Sequence, residues 1–209
     1  MIKIINITKK FNDRLILDNI NFEVTNNLLA ILGPTGSGKT VLLKIIAGLI
    51  KPDAGQILID KNESIGFVFQ HSALFDSLTV KQNISLPLEE KTNLSKREIN
   101  EQVLKIADLL NINQAFLNKN CQELSGGERK IVAIARAIIN NPTYLFYDEP
   151  TTGLDPITHD RVCSIIKNLA KPGIIVTHSE LTIKMVEAQP IFHLKSAKLL
   201  STKEYYEQN

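Results

Sequence analysis

Apolar and polar residues follow two periods along this chain, and the period changes with position. "IKIINIT" (2–8) and "NINFEV" (19–24) set β-branched and aromatic residues at near-alternate positions, the signature of short half-buried strands. "LLAILG" (28–33) is continuously apolar and runs into glycine, as a buried strand entering a turn does. "KTVLLKIIAGL" (39–49) reads as a helix stopped near Gly48 and Pro52. "QILI" (56–59) and "IGFVFQ" (65–70) read as further strands. From about Phe75 to Asn141 the pattern turns helical. Ser95 and Glu98 have capping-box spacing, and Ile99, Val103, Ile106 and Leu110 follow at helical intervals. The helix after Gly127 ends at Asn140, Asn141 and Pro142. "TYLFYDEP" (143–150) is a strand ending in two acids, "THDRVCSIIKNLA" (158–170) a helix, and "GIIVTH" (173–178) a strand ending in histidine.

Strands alternating with helices in the outer thirds predict an α/β fold, a parallel sheet covered by helices, with a helical insertion between. The expected organisation is one domain over 1–209, with a core formed by 1–74 and 142–209 and a helical lobe over 75–141. No repeat or low-complexity tract interrupts it.

Composition narrows the class without naming it. Hydrophobic residues make up 44% and charged residues 22%, ordinary for a soluble globular protein. The net charge of +2 does not mark a polyanion binder, so no nucleic-acid partner is expected. Cys121 and Cys163 form no CxxC and no metal spacing, which suits reduced thiols in the cytosol. The N-terminus lacks the apolar core of a signal peptide, and the best apolar run, Val41 to Ile50, is broken by Lys44 and Gly48. A membrane-spanning partner stays open.

Chemistry concentrates at the strand ends. Gly33, Pro34, Thr35, Gly36, Ser37, Gly38, Lys39 and Thr40 spell G-x-x-x-x-G-K-[ST] between a predicted strand and a predicted helix, the P-loop context. Glycines let backbone N–H groups curl around phosphate oxygens, and the helix N-terminus adds positive charge. Lys39 reaches the β and γ phosphates, and Thr40 offers a hydroxyl to Mg²⁺. In "LFYDEP", Asp148 ends a buried strand where it can hold Mg²⁺, and Glu149 can take a proton from an attacking water. His178 and Gln70 end two further strands. At the carboxyl edge of a parallel sheet they would face the same ligand, His178 toward the γ-phosphate or water and Gln70 toward Mg²⁺ or water. "QELSGGER" (122–129) has two readings. Ser125 and Glu128 make a capping box, which leaves Gly126 and Gly127 unexplained; bare backbone at a helix start is a second anion site.

P-loop, Gln70, "LSGGE", "DEP", "GLD" and a terminal histidine, in this order, resemble the ATP-binding subunit of an ABC transporter over essentially the whole chain. The resemblance implies a P-loop NTPase fold: a mostly parallel sheet core with an antiparallel β subdomain and a helical signature lobe. It implies ATP and Mg²⁺ as cofactors. It also implies a head-to-tail homodimer sandwiching two ATP between the P-loop of one chain and Ser125, Gly126 and Gly127 of the other. On it, Gln70 is the Q-loop, Asp148 the metal acid, Glu149 the catalytic base, Asp155 the D-loop acid and His178 the switch histidine. Phe11 stands where the family places an aromatic that stacks on adenine. The implied partners are an integral-membrane permease, with substrate-binding and accessory subunits, at the cytoplasmic face of the inner membrane.

"FQHSALFDSLTVKQNISLPLEE" (69–90) and "GLDPIT" are most similar to the Mla-type lipid-transport ATPases, with Leu74, Phe75 and Leu78 in the groove that grips the permease. A cell-division-type ATPase and an importer of metal or amino acid are the alternatives. The chain departs from the family in the short "KNES" (61–64), in "EAQP" (187–190) and in "GERK" (127–130), and no regulatory domain is expected after "FHLKSAKLLST". These differences bear on stability and regulation rather than on ATP chemistry.

Overall fold

A computed structural model describes residues 1–207. Two strands, β1 (Ile2–Phe11) and β2 (Arg14–Val24), pair antiparallel, and β4 (Ala54–Leu58) joins the other edge of β1. The main sheet has the order β5-β6-β7-β3-β8-β9, built from β3 (Leu28–Leu32), β5 (Ile65–Val68), β6 (Tyr144–Asp148), β7 (Gly173–Thr177), β8 (Ile191–Lys195) and β9 (Lys198–Ser201). All neighbours in it are parallel except the β8–β9 hairpin at one edge.

Helix α1 (Lys39–Ile46) follows β3. Four helices, α2 (Val80–Lys91), α3 (Lys96–Leu109), α4 (Gln114–Leu117) and α5 (Gly126–Ile138), fill the interval between β5 and β6, and α6 (Pro156–Leu169), α7 (Glu180–Val186) and α8 (Thr202–Glu207) complete the chain. Local sequence explains their starts. Thr79, Ser95 and Ser125 each head a complete capping box, and Asp155 caps α6 ahead of Pro156.

The strict alternation of side chains along buried strands divides the core into two layers. Phe146, Ile174 and Val176 face α1 and the antiparallel sheet, packing with Leu42, Leu43 and Ile31. Leu145, Tyr147 and Ile175 face the other way, packing with Ile131, Ile134 and Ile166. Each such fully buried side chain contributes about 1.5–3 kcal/mol. Helix α5 packs on α2 and α3 and also on β5 and α6, so its inner face touches both the helical segment and the sheet.

Several elements had no sequence signal strong enough to predict them. Helix α7 is short, and the β8–β9 turn puts Ser196 and Ala197 in the left-handed region, at φ 50° and 65°. That turn normally announces itself through Asn or Gly, and here it does not.

Candidate active site

Four neighbouring strands of the main sheet end on one edge. β5 delivers Gln70, β6 delivers Asp148 and Glu149, β7 delivers His178, and β3 delivers the glycine-rich loop. That edge opens into a cleft of about 350 Å³ lined by Phe11, Gly36, Lys39, Thr40, Gln70, Glu149 and His178, among others. The crevice at the carboxyl ends of parallel strands is where such sheets bind ligands.

The loop 33–40 owes its shape to backbone freedom at one position above all. Gly38 sits at φ 104° as the N-cap of α1, with no side-chain cap, and a Cβ there would lie 2.9 Å from Ile16. The first amides of α1 are therefore left for something outside the helix. Lys39 Nζ donates to the carbonyls of Gly33 (2.8 Å) and Pro34 (3.1 Å) and lies 3.3 Å from Glu149. Thr40 donates its hydroxyl to Asp148 Oδ1 at 2.7 Å. Ser37 Oγ is buried with no hydrogen-bond partner among the described residues.

The two acids differ in charge environment. Asp148 is 2% exposed, and burial pushes its carboxyl up, against the Thr40 hydrogen bond and the Lys44 charge, which pull it down. Burial also pushes Glu149 up, but hydrogen bonds from His178 and Thr152 and the Lys39 charge outweigh it, leaving Glu149 below the ordinary glutamate value. An ionised Glu149 only accepts, so His178 donates from Nδ1 to Glu149 Oε2 at 2.9 Å. Thr152 donates to the same oxygen at 2.9 Å. Glu149 itself holds a left-handed backbone, φ 46°, which costs a side-chain-bearing residue about 1–2 kcal/mol.

The structure does not bring every anticipated residue to this cleft. Ser125, Gly126, Gly127 and Asp155 are not among its lining residues. They gather instead where α5 and α6 begin. Ser125 accepts from the Glu128 amide and Glu128 accepts from the Ser125 amide, closing the box. Asp155 accepts from the amides of Ile157 and Thr158, both at 3.1 Å. A Cβ on Gly127 would fall 2.1 Å from Thr158 Cγ2, whereas Gly126 faces open space. The two glycines thus have different reasons: Gly127 lets α5 pack against α6, and Gly126 has no such constraint within the chain.

Two contributors escaped the sequence reading. Thr152 is one. The other is Lys130, on α5 and 4% exposed, whose Nζ donates to the carbonyls of Phe69 (3.3 Å), Gln70 and Glu149 (3.4 Å). Burial lowers its ammonium to about 8, with Asp148 and Glu149 pulling the other way. Its signal was present: Lys130 stands three residues after Gly127 and four before Ile134, on the buried stripe of α5.

The family model described as "ABC transporter" matches residues 17–152. This chain belongs to the ABC transporter family. Its fold is that of an ABC ATPase, with a mostly parallel sheet and an antiparallel β subdomain. The chain is 39% identical to the molybdate/tungstate import ATP-binding protein WtpC of Methanocaldococcus jannaschii, over 85% of this chain and 62% of that relative, so it spans less than two thirds of the archaeal protein. It is 36% identical to the intermembrane phospholipid transport system ATP-binding protein MlaF of Haemophilus influenzae, over 85% of this chain and 74% of that one. Among solved structures, a dimeric post-hydrolysis state of the ATP-binding cassette MJ0796, bound to ADP and Pi, superposes with a TM-score of 0.84 at 32% identity, covering 95% of this chain and 96% of that chain.

Proposed function

We propose that this ABC-family chain is a Mg²⁺-dependent ATPase that works as a head-to-tail homodimer and drives an integral-membrane permease at the cytoplasmic face of the inner membrane. The observation that carries this reading is the convergence of Lys39, Thr40, Gln70, Glu149 and His178 on one cleft at the carboxyl edge of the sheet, with Asp148 bonded to Thr40 just beneath it. The donor set suits Mg-ATP. An uncapped helix start, an orphaned Ser37 hydroxyl and the Lys39 ammonium suit phosphate oxygens; the Thr40–Asp148 pair, at a buried acid, suits a hard cation that takes few carboxylates. Mg²⁺ held by Thr40, Asp148 and Gln70 would neutralise charge on the phosphate oxygens. Phe11 offers its ring to adenine.

Hydrolysis is a displacement in which a water oxygen bonds to the γ phosphorus, the bond from phosphorus to the β–γ bridging oxygen breaks, and the water's proton passes to Glu149. Glu149 is suited to that task, ionised and held through Oε2 by His178 and Thr152, with Oε1 toward Lys39. Phosphate oxygens would replace the carbonyls and carboxylate that Lys39 now meets, freeing Oε1 for the water. Ser125, Gly126, Gly127 and Asp155, away from the chain's own cleft, serve the ATP of the partner. The dimeric MJ0796 cassette supports that arrangement. Replacing Glu149 with Gln should leave ATP binding intact and trap an ATP-bound dimer in size-exclusion chromatography; an unaltered hydrolysis rate would show that Glu149 is not the base.

The cargo we infer is phospholipid. Support comes from 69–90, where the chain matches the lipid-transport pattern, and from MlaF among its relatives; Phe75 there is 53% exposed, available to a permease. WtpC, named for molybdate and tungstate, keeps an anion importer as the second reading. No helix among the described residues is long and apolar enough to cross a membrane, and the partners we infer are an integral-membrane permease with substrate-binding and accessory subunits. Copurification from native membranes decides. A permease whose bound cargo is phospholipid supports the reading, and an oxyanion or cell-division system overturns it.

A further inference from the structure

Helix α5 holds the segment after β5 with a row of cations. Lys130 donates to the carbonyls of Phe69 and Gln70. Arg136 donates to those of Ser72 and Ala73, both at 2.8 Å, and Arg129 pairs with Asp76 at 2.6 Å. Ser72 and Ala73 are consecutive non-glycine residues in the left-handed region, at φ 61° and 48°. Such backbone persists only where its surroundings over-determine it. Lys130 differs from the two arginines in having a third acceptor, the carbonyl of Glu149. Glu149 is the other left-handed residue in this region, and its main chain is otherwise held by its own amide on Val176 (3.0 Å) and by the Thr152 amide (3.4 Å).

We propose that Lys130 is a positioning residue for ATP hydrolysis: one buried ammonium, through three carbonyls, fixes the backbone of Glu149 and ties it to Gln70. An ammonium has three donors, and three acceptors are at hand. All three belong to the two segments that carry Gln70 and Glu149, and none to the apolar layer around α5. Lys130 is also one helical turn beyond Gly126, on the same face of α5. A shift of the α5 start, such as closure against another chain would impose, is therefore passed through Lys130 to both residues. Apolar side chains of similar length fill the space without making this link.

The proposal rests on the ATPase reading above, and its test separates the two. The full chain is compared with Lys130→Arg, Lys130→Leu and Lys130→Met in Mg-ATP hydrolysis and in hydrogen exchange of the ligand-free protein. In Lys130→Met, kcat should fall by roughly ten- to a hundredfold, as misplacement of a catalytic group does, with KM for Mg-ATP changing by less than about threefold. Lys130→Arg should recover most of the loss. Exchange should rise at 70–76 and 149–152 in Lys130→Met and stay low in Lys130→Arg. If Lys130→Met does not fold, Lys130→Leu carries the same comparison; if no neutral variant folds, Lys130 serves the core and the proposal is overturned. A parental kcat in a folded neutral variant, a loss that arginine does not relieve, or exchange unchanged at both segments also overturns it. A parent chain that hydrolyses no ATP would sink the ATPase reading instead, and the exchange comparison would still judge the tether.

Discussion

Two helices of this protein begin with glycine beside a phosphate-binding type of sequence, and they begin in opposite ways. Helix α1 starts at a left-handed Gly38 without a side-chain cap, and its surroundings belong to its own chain: Lys39 on loop carbonyls and near Glu149, Thr40 on Asp148. Helix α5 starts with a closed Ser125–Glu128 box and an open space in front of Gly126. An uncapped start with prepared side chains is a nearly complete half of a site. A capped start with a bare first residue, next to the Asp155-capped start of α6, is an open surface, which on the proposed reading a second chain's nucleotide completes. The difference shows why similar glycine-rich text can describe two different objects, one facing inward to a cleft and one facing outward.

The contrast can be broken experimentally. The largest effect is expected from Gly126→Trp. It adds bulk where a Cβ meets nothing within 4 Å, so ATP binding measured by fluorescence titration should persist, while hydrolysis should fall by roughly 10²-fold, the scale of losing stabilising donors. Loss of neither function would mean that the capping box was the whole purpose of the α5 start. On the α1 side, Phe11→Ala should weaken ATP affinity by about tenfold, within the range of a lost base–aromatic stack, and leave α5 untouched. Unchanged affinity would remove Phe11 from the adenine site.

Smaller effects separate the two glycines of α5. Gly127→Ala drives a methyl into Thr158 and should cost about 1–3 kcal/mol in denaturant unfolding. Thr158→Ser removes the clashing Cγ2, so the double variant should regain most of that stability; additive losses would place the strain elsewhere. Smallest is Ser125→Ala, which removes a cap worth about 1 kcal/mol and should lower the melting temperature by about 2–4 °C. A hydrolysis defect larger than the change in folded fraction would show that Ser125 also serves the nucleotide.

Much of this was legible in the residues. Gln70, Asp148 and His178 stand at or just beyond strand ends because apolar runs stop there, and a parallel sheet places consecutive strand ends on one edge. Thr79, Ser95, Ser125 and Asp155 act within three residues of themselves, so their caps could be read directly or by type. Lys130 and Thr152 were not found: the buried stripe of α5 marks Lys130 as buried, but neither a lysine in a helix nor a threonine two residues after a proline names the carbonyl or carboxylate it meets. The β8–β9 hairpin was missed because Ser196 and Ala197 occupy a turn that usually selects other residues.

The sequence by itself determined the P-loop, the Ser95 and Ser125 capping boxes, the period of most elements and the family, since each of these is set by residues a few positions apart. Only the tertiary structure decided which of the collected groups share a cleft. It joined Thr40 to Asp148 across 108 residues, turned Glu149 left-handed onto His178, and set Lys130 against Gln70 and Glu149. It also split a pair of adjacent glycines into a packing residue and an open one. Those outcomes depend on how sheet, helices and loops close on one another, and the energy of that packing is shared among residues far apart in the chain.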